Sequence, residues 1–381
     1  MKNLREIVES SPQMRAVVMH GLRREDEPQP LGPARWDWRN VRRMLVIRLR
    51  SIGDTVLMTP SLLALRRFLP EARIDMLLED WVAPVLDGFD DVDNVITMKP
   101  GSSTARARVA RQIRSIHYDV VYNLHGGTTA TILTRATGAK HRVGFAYYQY
   151  SFLHNHLAPS PLLLWGREKA HSVEQQLALI GWTGVPVTDR PPTHLAVTEN
   201  AAAAVTAKLG GAGLDVATPF AMVHPAASYA TKQWAADKFA RVVEYLALRG
   251  LVSVAIAAPT EAQTVEELKK NSSSPVVGLN DLSLPEVTAL AARARLFVGN
   301  DSGIAHIAAA VGAPSVVIFG SSNVTHWRPW STAPAEVVLE EMPCQPCHGY
   351  FCEQFEQPEC ILRVPVERVT AAIERVLREA V

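Results

Sequence analysis

Net charge is nearly absent from this chain. Its 381 residues hold 39 lysines and arginines against 38 aspartates and glutamates, a formal +1 with histidine neutral. That balance argues against a dedicated nucleic-acid binder, whose affinity comes largely from excess positive charge, and no nucleic-acid partner is expected. Long apolar runs are absent too. Ile304 to Gly320 is interrupted by His306, Gly312 and Pro314, and nothing reaches the ~18 clean apolar residues of a membrane span. The opening residues, MKNLREIVESSPQMR, lack the apolar core of a secretory signal. A soluble, cytoplasmic protein is the expectation. No G-x-G-x-x-G follows a strand-like run, and neither G-x-x-x-x-G-K-[ST] nor G-x-S-x-G occurs. A dinucleotide oxidoreductase is thereby disfavoured, and a P-loop NTPase and a nucleophile-elbow hydrolase are excluded. Cysteine is missing everywhere but in one segment, where Cys344, Cys347, Cys352 and Cys360 form a C-x2-C-x4-C-x7-C run. Random scatter would not bunch all four, so they are expected to act together.

What is present is apolar material. Hydrophobic residues make up 48% of the chain, enough for two sizeable cores and too much for a disordered chain. Residues 1–43 read as an extension, with a short helix expected at Leu4 to Val18. Strands are expected at Met44 to Leu49, Ile74 to Leu78, Asn94 to Met98 and Asp119 to Leu124, with helices at Thr55 to Phe68 and Thr104 to Ile116. A proline-bearing, less regular segment runs from His154 to Asp215, with the inter-domain connection placed near Pro191 to Leu214. The alternation then restarts with strands at Phe220 to His224, Leu251 to Ala257, Leu296 to Gly299 and Ser315 to Phe319. Strands alternating with helices imply parallel sheets. The expectation is an α/β protein of two tandem domains, residues 44–200 and 201–365, the second including the cysteines, closed by an amphipathic helix in 366–381.

In open parallel sheets ligands bind beyond the carboxyl ends of the strands. Four strand-to-helix turns carry unusual polar residues. In Arg50-Ser51-Ile52-Gly53-Asp54-Thr55, Gly53 permits a tight turn and Asp54 sits where a helix begins. Asp54 reads either as a helix cap or as a general base facing the cleft, although a helix N-terminus favours the ionised carboxylate and so weakens a base. In the turn from His224 to Trp234, small residues, the hydroxyls of Ser228 and Thr231, and Lys232 suit a phosphate group; a solvated lysine is the plainer reading. Glu261 reads as an acceptor for a ribose diol or as a first-turn carboxylate. In Gly299-Asn300-Asp301-Ser302-Gly303-Ile304-Ala305-His306, the N–H groups of Ser302 and Gly303 would face an anion. Asp301 would orient a lysine or sugar hydroxyls, or else join His306 in a buried network.

These segments resemble a known family. RLRSIGDTVLMTPSLLALRRFLP, HPAASYATKQWAADKFARVVEYL and FVGNDSGIAHIAAAVGAPSVVIFGSSNVTHWRPW are similar, in order, to three motifs of glycosyltransferase family 9, the ADP-heptose:lipopolysaccharide heptosyltransferases. The resemblance covers about residues 44–370. It implies a GT-B fold, two Rossmann-like domains facing across a cleft, and an inverting, metal-independent transfer. By motif, Asp54 would be the catalytic base beside Gly53. Lys232 would hold the diphosphate as it departs, with Ser228, Thr231 and His306 in the same donor-binding segments. Glu261 would hold the ribose, and the Asp301-Ser302-Gly303 turn the donor. The chain departs from the family where Ala226 stands in a usual HPGAS and Ala235 replaces a proline after the tryptophan. A sugar-nucleotide epimerase and a non-catalytic sugar-nucleotide binder are the competing readings.

No cofactor is expected for catalysis. A cytoplasmic protein rarely keeps disulfides, so a structural tetrathiolate zinc site is the expectation for the four cysteines, with an iron–sulfur cluster or free thiols as alternatives. The expected partners are a nucleoside-diphosphate sugar donor and a glycolipid or oligosaccharide acceptor, with peripheral contact at the inner membrane surface. Arg111 and Arg114, three apart in a stretch that has no acid between Pro100 and Tyr118, share a helical face. They are expected either to attract an anionic acceptor or to be plain surface charge.

Overall fold

The computed structural model describes residues 27–347 and 350–380; the helix expected at Leu4 to Val18 lies outside them. The first sheet is built from β1 (Arg43–Ile47), β2 (Arg73–Glu79), β3 (Asn94–Met98), β4 (Val120–Asn123), β5 (His141–Phe145) and β6 (His156–Ala158). The second uses β7 (Phe220–His224), β8 (Val252–Ile256), β9 (Val276–Leu279), β10 (Leu296–Asn300), β11 (Ser315–Phe319) and β12 (Ala335–Leu339). Their orders are β3-β2-β1-β4-β5-β6 and β12-β11-β10-β7-β8-β9, and every pairing is parallel. Each sheet therefore reverses winding once, between β1 and β4 and between β7 and β10. Such switch points are where ligands sit.

Both faces of each sheet are covered, which is why the central strands are continuous apolar runs rather than alternating ones. Met44, Val46 and Tyr122 of the first sheet join Met222, Phe297 and Phe319 of the second in one buried cluster. The outer face of the first sheet packs Leu45 and Ile47 on Val109 and Ile113. That of the second packs Val223 and Val298 with Val369 and Ile373 of the helix Val366–Glu379. The C-terminal helix thus closes the second domain.

The long first helix is broken in two, Ile52–Val56 and Thr59–Phe68, because Pro60 has no N–H to continue an earlier helix and suits a new first turn. Strands β5, β6, β9 and β12 were not expected: β6, β9 and β12 are sheet edges with partly exposed residues, and β5, next to the edge, opens on two partly exposed polar residues. The irregular segment holds helices Pro161–Trp165, Ser172–Gly181 and Glu199–Gly211. The last packs on the helix Leu284–Arg293 and so belongs to the second domain. The connection is shortened to the extended chain before Thr198. Part of the N-terminal extension is built into the first domain, where buried Trp38 donates from Nε1 to the Thr183 carbonyl at 3.1 Å. Among the described residues no helix is long and apolar enough to cross a membrane.

Candidate active site

The turn after β1 presents Asp54. Ser51 caps the helix Ile52–Val56, and Asp54 reaches back from the third helical position. Its Oδ2 accepts from Ser51 Oγ at 3.0 Å and Ser51 N at 3.3 Å. Its Oδ1 is held by Arg48, whose guanidinium also donates to the Leu124 carbonyl. Asp54 therefore does stabilise the helix start, while an arginine anchors its other oxygen; both side chains keep slight solvent access, 14% for Arg48 and 18% for Asp54. His125, in the turn after β4, feels both charges, but burial and Arg48 together bring its pKa down to about 4, so it is neutral near pH 7.

The second domain supplies an opposing set. Lys232 Nζ donates to Asp301 Oδ2 at 2.8 Å, and Ser322 Oγ donates to the same oxygen. Asp301 is buried at the end of β10, its N–H bonded to the Ile318 carbonyl at 3.0 Å. Its carboxylate thus orients the lysine, and the expected alternative of a network with His306 does not form. Ser302 caps the helix Gly303–Ala310 with no side-chain bond to it; its hydroxyl instead lies 3.3 Å from Nδ1 of His224, which burial lowers to about 4. Backbone N–H groups at this helix start stay available to an anion.

The two turns meet. A Cβ added to Gly53 would come 2.7 Å from the His306 ring, and one added to Gly303 would come 2.9 Å from Ile52 Cβ. Only glycine admits this approach. His306 sits between them, its ring within range of Asp54, Asp301 and Lys232, neutralised by burial and with Nδ1 unpartnered. Above this junction opens a cleft of about 280 Å³. Gly53 and Trp81 line it from the first domain, and Ser228, Glu261, Ser302 and Gly303 from the second. Glu261 makes no side-chain cap bond to the helix Ala262–Asn271 that follows it.

Other expected site residues lie elsewhere. Thr231 is buried, its hydroxyl accepts from Ser321 Oγ at 3.0 Å, and it borders a separate cavity that all four cysteines line. Arg111 and Arg114 are exposed on the helix Ser103–Ser115, outside the cleft lining. Arg48, Ser322, His125 and Trp81 went unrecognised in the sequence. Arg48 did leave a trace, as the charge inside the otherwise apolar MLVIRL.

Two Rossmann-like domains facing across a cleft, an aspartate on one and a lysine with a helix start on the other, define the GT-B class. The chain belongs to glycosyltransferase family 9 (heptosyltransferase), whose model matches residues 106–356. Lipopolysaccharide heptosyltransferase 3 of Escherichia coli (strain K12) is 28% identical over 87% of this chain and 97% of its own length. A family 9 glycosyl transferase from Veillonella parvula superposes with a TM-score of 0.76 at 20% identity, covering 89% of this chain and 97% of that one. ADP-heptose lps heptosyltransferase II of E. coli gives 0.73 at 21%, over 88% and 98%. These structures support the fold.

Proposed function

We propose that the protein transfers heptose from ADP-heptose to a hydroxyl of a lipopolysaccharide-core glycan, with inversion and with no metal ion taking part in the transfer. The observation that carries this is the junction of the Gly53-Asp54 and Ser302-Gly303 turns beneath one cleft. Gly53, Ser302 and Gly303 line it; Asp54 and Lys232 stand outside that lining, Asp54 next to Gly53 in the chain and Lys232 held by Asp301, the neighbour of Ser302. In this reading the acceptor oxygen attacks the anomeric carbon as Asp54 takes its proton. The bond from that carbon to the diphosphate oxygen breaks, and its electron pair leaves with the nucleoside diphosphate. A single attack opposite the leaving group inverts the centre. Lys232 and the N–H groups of Ser302 and Gly303 stabilise the charge that grows on the diphosphate. Glu261, free of a capping bond, suits the ribose. Ser228, Asp301 and His306 complete the donor side, and Thr231 acts by holding the backbone next to Lys232.

The E. coli relative's name supports the sugar and acceptor class. Family membership disfavours the epimerase and the passive binder. Product analysis separates all three: ADP-heptose with a lipopolysaccharide-core acceptor should give a heptosylated product of inverted anomeric configuration by NMR. A changed sugar nucleotide without acceptor, or binding with no product, would reject the proposal.

The four cysteines suit a structural metal. They line one cavity, and thiols are soft ligands that fit zinc or an iron–sulfur cluster. Burial raises the Cys347 and Cys360 thiols, Cys360 to about 11, and the neighbouring cysteines add to this. As placed, no three His, Cys, Asp or Glu side chains among the described residues converge on one ion position. Zinc is the reading tested. Metal analysis of the purified chain should find stoichiometric zinc that Cys344→Ser with Cys347→Ser abolishes; iron would select the cluster.

A further inference from the structure

One face of the first domain combines an excess of basic residues with exposed apolar side chains. Between Pro100 and Arg167 seven lysines and arginines accompany one acid, Asp119. That carboxylate accepts from the backbone N–H groups of Arg42 and Arg43 at 2.8 and 3.0 Å. Arg111 and Arg114 are exposed on the helix Ser103–Ser115, the Arg114 guanidinium lying over Gly138. This helix packs on Thr128–Ala136, which packs in turn on Ser151–Leu153. There the protruding side chains are apolar: Phe152 is 75% exposed, Ile132 53% and Tyr150 46%. The Tyr150 and Phe152 rings meet edge to face at 6.2 Å.

The topology puts this face beside the acceptor side of the cleft. The loop bearing Tyr150 leaves the carboxyl end of β5, on the same sheet edge as Arg48 and Asp54. Tyr148 within it covers Gly126 and feels the Arg48 charge.

We propose that this face docks on an anionic lipid bilayer, with Phe152, Tyr150 and Ile132 entering the headgroup boundary and Arg111 and Arg114 facing lipid phosphates. Aromatic and aliphatic tips accompanied by arginines, in a stretch of chain whose one acid is held by backbone N–H groups, match the apolar and electrostatic parts of such binding. The inference deepens the proposed function, in which the acceptor is a lipid-linked glycan presented at that surface. Its test needs neither donor nor acceptor.

The full chain is sedimented with vesicles of phosphatidylcholine alone and of phosphatidylcholine mixed with phosphatidylglycerol, at low and high salt. It should pellet with the mixed vesicles, stay in solution with the neutral ones, and be released by salt. Phe152→Ser with Ile132→Ser should weaken partition by about fivefold or more, and Arg111→Glu with Arg114→Glu on the order of tenfold. Leu248→Ser, at a position 85% exposed on the second domain, should change nothing. Circular dichroism checks that each variant is folded. No pelleting with anionic vesicles, or pelleting of both double variants as well as the unmodified chain, overturns the docking face. Failure of the transferase reading alone would leave vesicle binding intact and appear instead as absent heptosyl product with a delipidated acceptor.

Discussion

At the scale of single residues, the structural bonds of Asp54 can be separated from the proton transfer proposed for it. Asparagine at position 54 can still accept from Ser51, so Asp54→Asn should keep the helix start and donor binding while turnover falls on the order of 10²–10⁴-fold. Steady-state kinetics with donor binding by calorimetry checks this, and near-normal turnover would leave Asp54 only its structural bonds. Lys232→Ala should weaken binding of the nucleoside diphosphate product and lower turnover together, because the charge that the lysine faces grows as the bond breaks. It also strands Asp301, whose remaining side-chain partner would be Ser322; a thermal melt beside the titration tells a lost ligand contact from a damaged fold. The turns that bear Asp54 and Lys232 were legible because each follows an apolar strand, at the sheet end where ligands bind. Arg48 was not, since nothing in a run such as MLVIRL says that its fifth member turns back from the strand end to clamp a carboxylate six residues on.

At the scale of elements, close approach of two helix starts shapes the cleft. In Gly303→Ala the new methyl would press on Ile52 Cβ at 2.9 Å and Gly53 N at 3.1 Å. It should wedge the turns apart, cost about 1–3 kcal/mol of stability and raise KM for the donor. Gly210→Ala is the matched control: nothing lies within 4 Å of its Cβ, and in the helix Glu199–Gly211 alanine should be neutral to stabilising. Melting curves of the two proteins decide it. Buried central strands such as β7 and β11 were readable to the residue from their apolar runs. The edge strand β3 was found as well, at Asn94 to Met98, but the other three edges and β5 were not. β6 is three residues long and half exposed, and β5 opens on His141 and Arg142, so neither run carries the pattern of a strand buried on both faces. The cleft itself lay beyond the sequence, because it arises from contact between glycines 250 positions apart in the chain.

At the scale of the whole molecule, several histidines are buried in the neutral form. Burial holds His224 at about 4 and His171 at about 3, against an ordinary 6.5. Once unfolded they regain the ordinary value, so the unfolded chain takes up protons first as the pH falls. Stability should therefore be greatest above about 6.5, decline as the pH drops from there toward 4, and for His224 level off below that. Melting temperatures across this range, with His224→Gln flattening part of the decline, check it. The buried cluster that joins Met44 and Tyr122 to Phe297 and Phe319 bears on how the protein can be rebuilt. The halves touch where the helix Ile52–Val56 packs on Gly303–Ala310 and the turn Ala83–Leu86 packs on Leu284–Arg293, and removing either half uncovers that seam. A hybrid that grafts residues 201–381 of a relative onto this N-terminal half must match side-chain shapes across that seam as well as the chain connection. Recombination within the family should thus succeed only where both halves of the seam travel together.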